Sequence, residues 1–107
     1  GVALNDGMFG TAGPRDILAR MLNNLRRIHA GLGEFARAIR WIDLGLELNP
    51  GAPEDYRERG ILWTRLEEFG RALPDLERYL RLAPRAPDAD DIRGQMVLLR
   101  KLLSRLN

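Results

Sequence analysis

His29 is the sole histidine of a 107-residue chain that has no cysteine. A Ser-His-Asp or Cys-His nucleophile therefore has almost nothing to be built from. Thiolate metal sites and disulfides are excluded outright. A metal at His29 would need further ligands at suitable spacing, and none follow it. No metal and no cofactor is expected, and the chain reads as a non-enzyme. The adjacent carboxylates Glu67-Glu68 and Asp90-Asp91 point apart on a helix and read as solvated charges or caps, not as an acid–base pair. Ionic recognition remains. Arg20, Asn23 and Arg27 recur at steps of three and four residues, which sets their donors along one helix face where they could grip a carboxylate. The alternative is a solvated arginine face, or arginines paired within the chain.

Five helices are expected to position these groups. The first runs over about 14–30, with Pro14 in its first turn, where a missing N–H costs nothing. Its apolar stripe is Ile17, Leu18, Met21, Leu22, Leu25, Ile28 and His29. Gly31 and Gly33 stop it. The second covers about 34–48, with Phe35, Ala38, Ile39, Ile42 and Leu46 inward. It ends before Pro50, which disfavours helical geometry in the residue ahead of it. The third starts near Pro53 and buries Tyr56, Gly60, Leu62, Trp63 and Leu66. The fourth spans about 70–82, and Pro74 requires it to begin late or bend. The last runs over about 88–106, with Asp88 as N-cap and Ile92, Met96, Leu99, Leu103 and Leu106 on one stripe. Residues 1–13 hold four glycines and read as a linker or N-terminal extension.

The bulk composition is that of one small soluble domain. Seventeen Lys and Arg face 15 Asp and Glu, a net charge of +2. That balance argues against nucleic acid, which calls for a basic stripe. No apolar run approaches a membrane span. No signal peptide is visible, and a cytoplasmic location is expected. The chain opens on Gly1, not Met, as a segment of a longer polypeptide would.

The chain repeats itself every 34 residues. Ten of 22 positions are identical when 32–53 is set against 66–87. They include Leu32/Leu66, Phe35/Phe69, Ala38/Ala72, Leu46/Leu80, Leu48/Leu82, Pro50/Pro84 and Pro53/Pro87. Such a period marks a helical repeat whose units bury their apolar faces by stacking. The expected fold is all-α: an antiparallel helix-pair solenoid of two repeats plus a C-terminal capping helix, over 14–107.

On these residues the chain resembles the tetratricopeptide repeats. Pro50 and Pro84 match the closing prolines. Ala38 and Ala72 match the small residue of the second helix, and Gly60 the small residue where helices touch. Arg59-Gly60 recurs as Arg93-Gly94. Arg59 and Arg93 depart from the pattern, which prefers Leu there, and Arg26 stands where Gly or Ala is usual. More narrowly, Ile17–Leu25, Arg57–Leu62 and Asp75–Leu80 through Asp88 resemble the C-terminal region of bacterial SirB-type proteins, which carry a transglutaminase-like domain upstream. That domain's Cys, His and Asp have no positions here, so its activity does not transfer.

The resemblance implies a protein-interaction module. Its first-of-pair helices would line a concave face for a peptide, mapping onto Arg20, Asn23, Arg27, Arg57, Ile61, Thr64, Arg65 and Gln95. The partner would be an acidic peptide or a C-terminal carboxylate. The alternative role is that of an accessory domain to a transglutaminase-like hydrolase. Arg59 and Arg93 are expected to need carboxylates if buried, from Asp43, Glu47, Asp75 or Glu77. Trp41 reads as a covered or docking surface. Leu98 and Leu102 on the last helix suggest docking or a homodimer.

Overall fold

We describe a computed structural model of the chain, over residues 13–106. Residues 1–12 of the expected linker, and Asn107, lie outside the described residues. Among the described residues there are five helices: α1 (Pro14–Gly31), α2 (Phe35–Leu48), α3 (Pro53–Arg65), α4 (Phe69–Leu82) and α5 (Ala89–Leu106). Each packs against its neighbours in sequence. That is the all-α helix-pair solenoid the period calls for.

The helices begin and end for local reasons. Pro14 and Pro53 open α1 and α3, where the first turn has no use for their N–H. The Asp16 carboxylate accepts a hydrogen bond from the Gly13 N–H at 3.2 Å. The two helix-to-helix turns are copies of each other. The Glu34 N–H donates to His29 O at 2.8 Å, and 34 residues on the Glu68 N–H donates to Trp63 O at 2.9 Å. Both turns need one residue in the left-handed region. Gly33 supplies it in the first, at φ 76°, and Glu67 in the second, at φ 59°.

Pro74 lies inside α4, which starts at Phe69, earlier than Pro74 was expected to allow. The residue is exposed, and so is Gly70, whose carbonyl loses its i+4 donor to the proline ring. Water can serve that carbonyl.

Two apolar clusters form the core. One joins Ala38, Ile39, Ile42, Leu46 and Leu62. The other joins Ala72, Leu76, Tyr79, Ile92, Met96 and Leu99. Tyr56 and Trp63 on α3 pack against both and make one continuous core. The first helix is less covered. Only Leu22 of α1 is buried, while Leu18, Met21 and Ile28 of its stripe are exposed. The reason is geometric: among the described residues α1 has one helical neighbour, and a stripe wider than one neighbour stays partly bare.

Close approach sets the pairing of α3 and α4. A Cβ at Gly60 would lie 2.7 Å from Leu76 Cδ2 and 3.3 Å from the Ala72 carbonyl oxygen. Only glycine lets the helices meet there. One repeat earlier the same position is Arg26, which reaches α3 instead. Its guanidinium pairs with Asp55 and lies 3.5 Å from Glu58.

Candidate functional site

The expected groove draws on α1, α3 and α5. Arg20, Asn23 and Arg27 are exposed on α1. Among the described residues neither Arg20 nor Arg27 has a carboxylate partner. Arg27 instead donates to the Asn24 side-chain oxygen at 2.8 Å. Asn23 lines a cavity of about 340 Å³ with Arg26, Trp41, Gly45 and Asp55.

The α3 members are partly engaged. Arg57 donates through Nε to Asp88 at 2.5 Å. The Thr64 hydroxyl donates to Gly60 O at 2.9 Å, so it is turned to its own helix. The Arg65 guanidinium sits 5.7 Å from the Phe35 ring centre, a cation–π distance. Ile61 is half-buried, and Gln95 is exposed on α5.

Asp88 was expected to cap α5. Its carbonyl does accept the first helical bond, from the Ile92 N–H at 2.9 Å. Its carboxylate is committed elsewhere: it accepts from Tyr79 Oη at 2.6 Å and from Arg57. The Tyr79 hydroxyl and then the Arg57 guanidinium hold Asp88 below the usual carboxylate range. The same bond, with burial, pushes the Tyr79 hydroxyl up. Sequence reasoning had no signal for this cluster, because Arg57 and Asp88 stand 31 residues apart.

Arg59 and Arg93 part company. Arg59 binds Asp75 through two 2.7 Å hydrogen bonds, and Asp43 through a third at 2.9 Å. The Asp75 bonds, then Asp43, hold its guanidinium above its already high ordinary value against the cost of burial. Both acids were among the expected partners. Arg93 is 53% exposed and, among the described residues, pairs only with Asp90, at 2.8 Å along its own helix. It is not buried, because no helix follows α5 among the described residues.

A larger cleft, about 760 Å³, lies between α2 and α4 with α3 as its floor. Asp43, Glu47, Tyr56, Arg59, Trp63 and Arg71 line it, and Arg71 lies over the Trp63 ring at 5.0 Å. The sequence reading had no place for it.

Trp41 is half-buried, 6.2 Å from the His29 ring and nearly parallel to it. Its indole nitrogen is buried without a hydrogen-bond partner among the described residues. His29 Nδ1 lies 3.1 Å from Glu34, so its polar contact is internal. Leu98 is exposed, and Leu102 is half-buried. Among the described residues no three His, Asp or Glu side chains cluster as a metal site. No described helix is long and apolar enough to cross a membrane.

The chain is similar to a UPF0162 protein of Xylella fastidiosa strain Temecula1, with 41% identity over 83 residues, covering 78% of this chain and 30% of that protein. A UPF0162 protein of Pseudomonas aeruginosa is 35% identical over 72 residues, 67% of this chain and 27% of that one. Protein SirB1 of Salmonella typhimurium is 27% identical over 81 residues, 76% of this chain and 30% of that one. The chain thus spans about 30% of the length of the curated relatives it matches. No solved structure matches it. The tetratricopeptide repeat profile matches residues 25–97, the stretch in which the two turns and the closing prolines recur. By fold, period and profile, the chain belongs to the tetratricopeptide repeat family.

Proposed function

We propose that this chain is a non-catalytic protein-interaction module that takes an acidic peptide, or a C-terminal carboxylate, on the face lined by Arg20, Asn23, Arg27, Arg57, Arg65 and Gln95. The observation that carries the reading is the state of its arginines. Arg20 and Arg27 are exposed with no carboxylate partner among the described residues. Arg57 uses Nε for Asp88, which leaves two terminal nitrogens for a ligand. A guanidinium with free N–H groups matches a carboxylate geometrically.

The test is a titration with a labelled acidic peptide bearing a free C-terminus. Replacing Arg27 and Arg57 together by alanine is expected to weaken binding about tenfold or more, as loss of two charge-assisted contacts would. Unchanged affinity removes the groove from consideration.

A second reading has one observation behind it, the coverage of only about 30% of the relatives' length. In that reading the segment is the accessory domain of a transglutaminase-like protein and docks through residues 1–13, of which 1–12 lie outside the described residues, and through Trp41. A native polypeptide that carries a Cys- and His-bearing domain beside this segment supports it. A native polypeptide without one eliminates it.

A further inference from the structure

Gly45 and Tyr79 hold the same position in successive repeats, 34 residues apart. In the second repeat Tyr79 fills its place. It is buried, and its hydroxyl donates to Asp88 at 2.6 Å. Arg57 holds the other oxygen of that carboxylate. In the first repeat there is no ring. Gly45 lines a cavity of about 340 Å³ built from α1, α2, α3 and the turn between the last two, within the usual range for small-ligand pockets. The counterparts of the hydroxyl's partners stand on its wall. Glu54 corresponds to Asp88 and Asn23 to Arg57, and both line the cavity. Both are exposed, and Glu54 has no hydrogen-bond or ion-pair partner among the described residues. Leu22, Trp41 and Leu48 supply apolar wall. A side chain rooted at position 45 would be cramped, since a Cβ there would stand 3.3 Å from Asp55 Oδ2, in the carboxylate that Arg26 binds. A ring arriving from solvent has no such root to place.

We propose that this cavity binds the phenol of a tyrosine in a peptide ligand. The ring seats as Tyr79 does one repeat later, and its hydroxyl donates to Glu54 as that of Tyr79 does to Asp88. The apolar walls take the ring. The acid separates tyrosine from phenylalanine, because a charged acceptor strengthens the hydrogen bond. Placing that tyrosine on the acidic peptide rests on the proposed function, whose face shares Asn23; the chemistry of the cavity does not.

The probes are N-acetyl-tyrosinamide and N-acetyl-phenylalaninamide, titrated separately into the whole 107-residue chain and followed by amide and indole N–H chemical shifts. The tyrosine probe should give saturable shifts at Asn23, Trp41 and Glu54. The phenylalanine probe should bind about tenfold more weakly, as loss of a hydrogen bond to a charged group predicts. Glu54→Ala should bring the two probes to equal affinity, a change of ratio that a merely structural loss would not produce. Ala19→Leu, at an exposed lining position of α1, should weaken both. Neither probe carries a carboxylate, so their failure would leave the arginine face to its own peptide titration. Three outcomes overturn the proposal: no saturable shifts at these residues up to the solubility of the probes, a tyrosine preference that is absent or untouched by Glu54→Ala, or binding that appears only with Phe9→Ala. The last would give the cavity to the chain's own Phe9.

Discussion

Arg59 and Asp75 grip each other through two 2.7 Å hydrogen bonds, yet each stands one repeat after an uncharged residue, Leu25 and Trp41 respectively. The second repeat has an ion pair where the first has two apolar side chains. Asp75 is 6% exposed, so removing either partner leaves a charge with little water.

Single changes at this pair should therefore be costly and the double change mild. Asp75→Leu or Arg59→Leu alone is expected to lose about 1.5–3 kcal/mol, the worth of hydrogen bonds to a charged group. Asp43 retains part of Arg59 and keeps the figure at the low end for Asp75→Leu. The double variant should lose less than the sum by about 1 kcal/mol or more. Urea melts of the four proteins measure it, and additive losses would show that the pair is not coupled.

Glycine to alanine should change sign between repeats. Gly60→Ala drives a Cβ into Leu76, which is fully buried and has nowhere to go. Overpacking of this kind costs about 1–3 kcal/mol. Gly94→Ala meets only open space and should gain up to about 1 kcal/mol from helix propensity. Two melting curves decide it, and a shift of the same sign in both would refute the assigned close approach.

Glu67 occupies the left-handed position that Gly33 fills one repeat earlier. A side chain costs about 1 kcal/mol in that region. Glu67→Gly is expected to stabilise the chain by up to roughly 0.5 kcal/mol, the relief less the added freedom of the unfolded chain. A destabilised Glu67→Gly protein would mean that the carboxylate has a role the turn does not reveal.

Acid should loosen the attachment of α5. Asp88 stays ionised in the folded chain to lower pH than in the unfolded chain. The unfolded state therefore binds more protons as pH falls below about 4, the ordinary Asp value. The stabilisation is full above that value and is lost as pH drops through the depressed folded one. Asp88→Asn should flatten this acid limb relative to wild type in denaturant melts taken at successive pH values. Parallel limbs would place the acid sensitivity elsewhere. On the proposed function, the same variant frees Arg57 Nε and should tighten binding of an acidic peptide several-fold, the effect of removing an internal competitor.

The repeat made most of the fold legible. Pro50 and Pro84, the apolar stripes of α2 and α4, and Gly60 each carry local information about helix ends and buried faces. Asp43 and Asp75 were foreseeable as partners because Arg59 replaces an apolar residue and a buried charge must be answered. What was not legible depends on distance in sequence. Nothing around Arg26 announces Asp55, and nothing around Asp88 announces Tyr79 and Arg57. Arg93 shares the repeat position of Arg59 but not its burial, because burial comes from a following helix and not from the residue.

The peptide-binding face is tested most directly by amide chemical-shift mapping with two versions of one peptide, one acidic with a free C-terminus and one with amides in place of every carboxylate. Saturable shifts are expected, clustered at Arg20, Asn23, Arg27, Arg57, Arg65 and Gln95, and much weaker ones with the neutral version. Shifts that ignore the loss of the carboxylates, or that fall away from these residues, would contradict the proposed function.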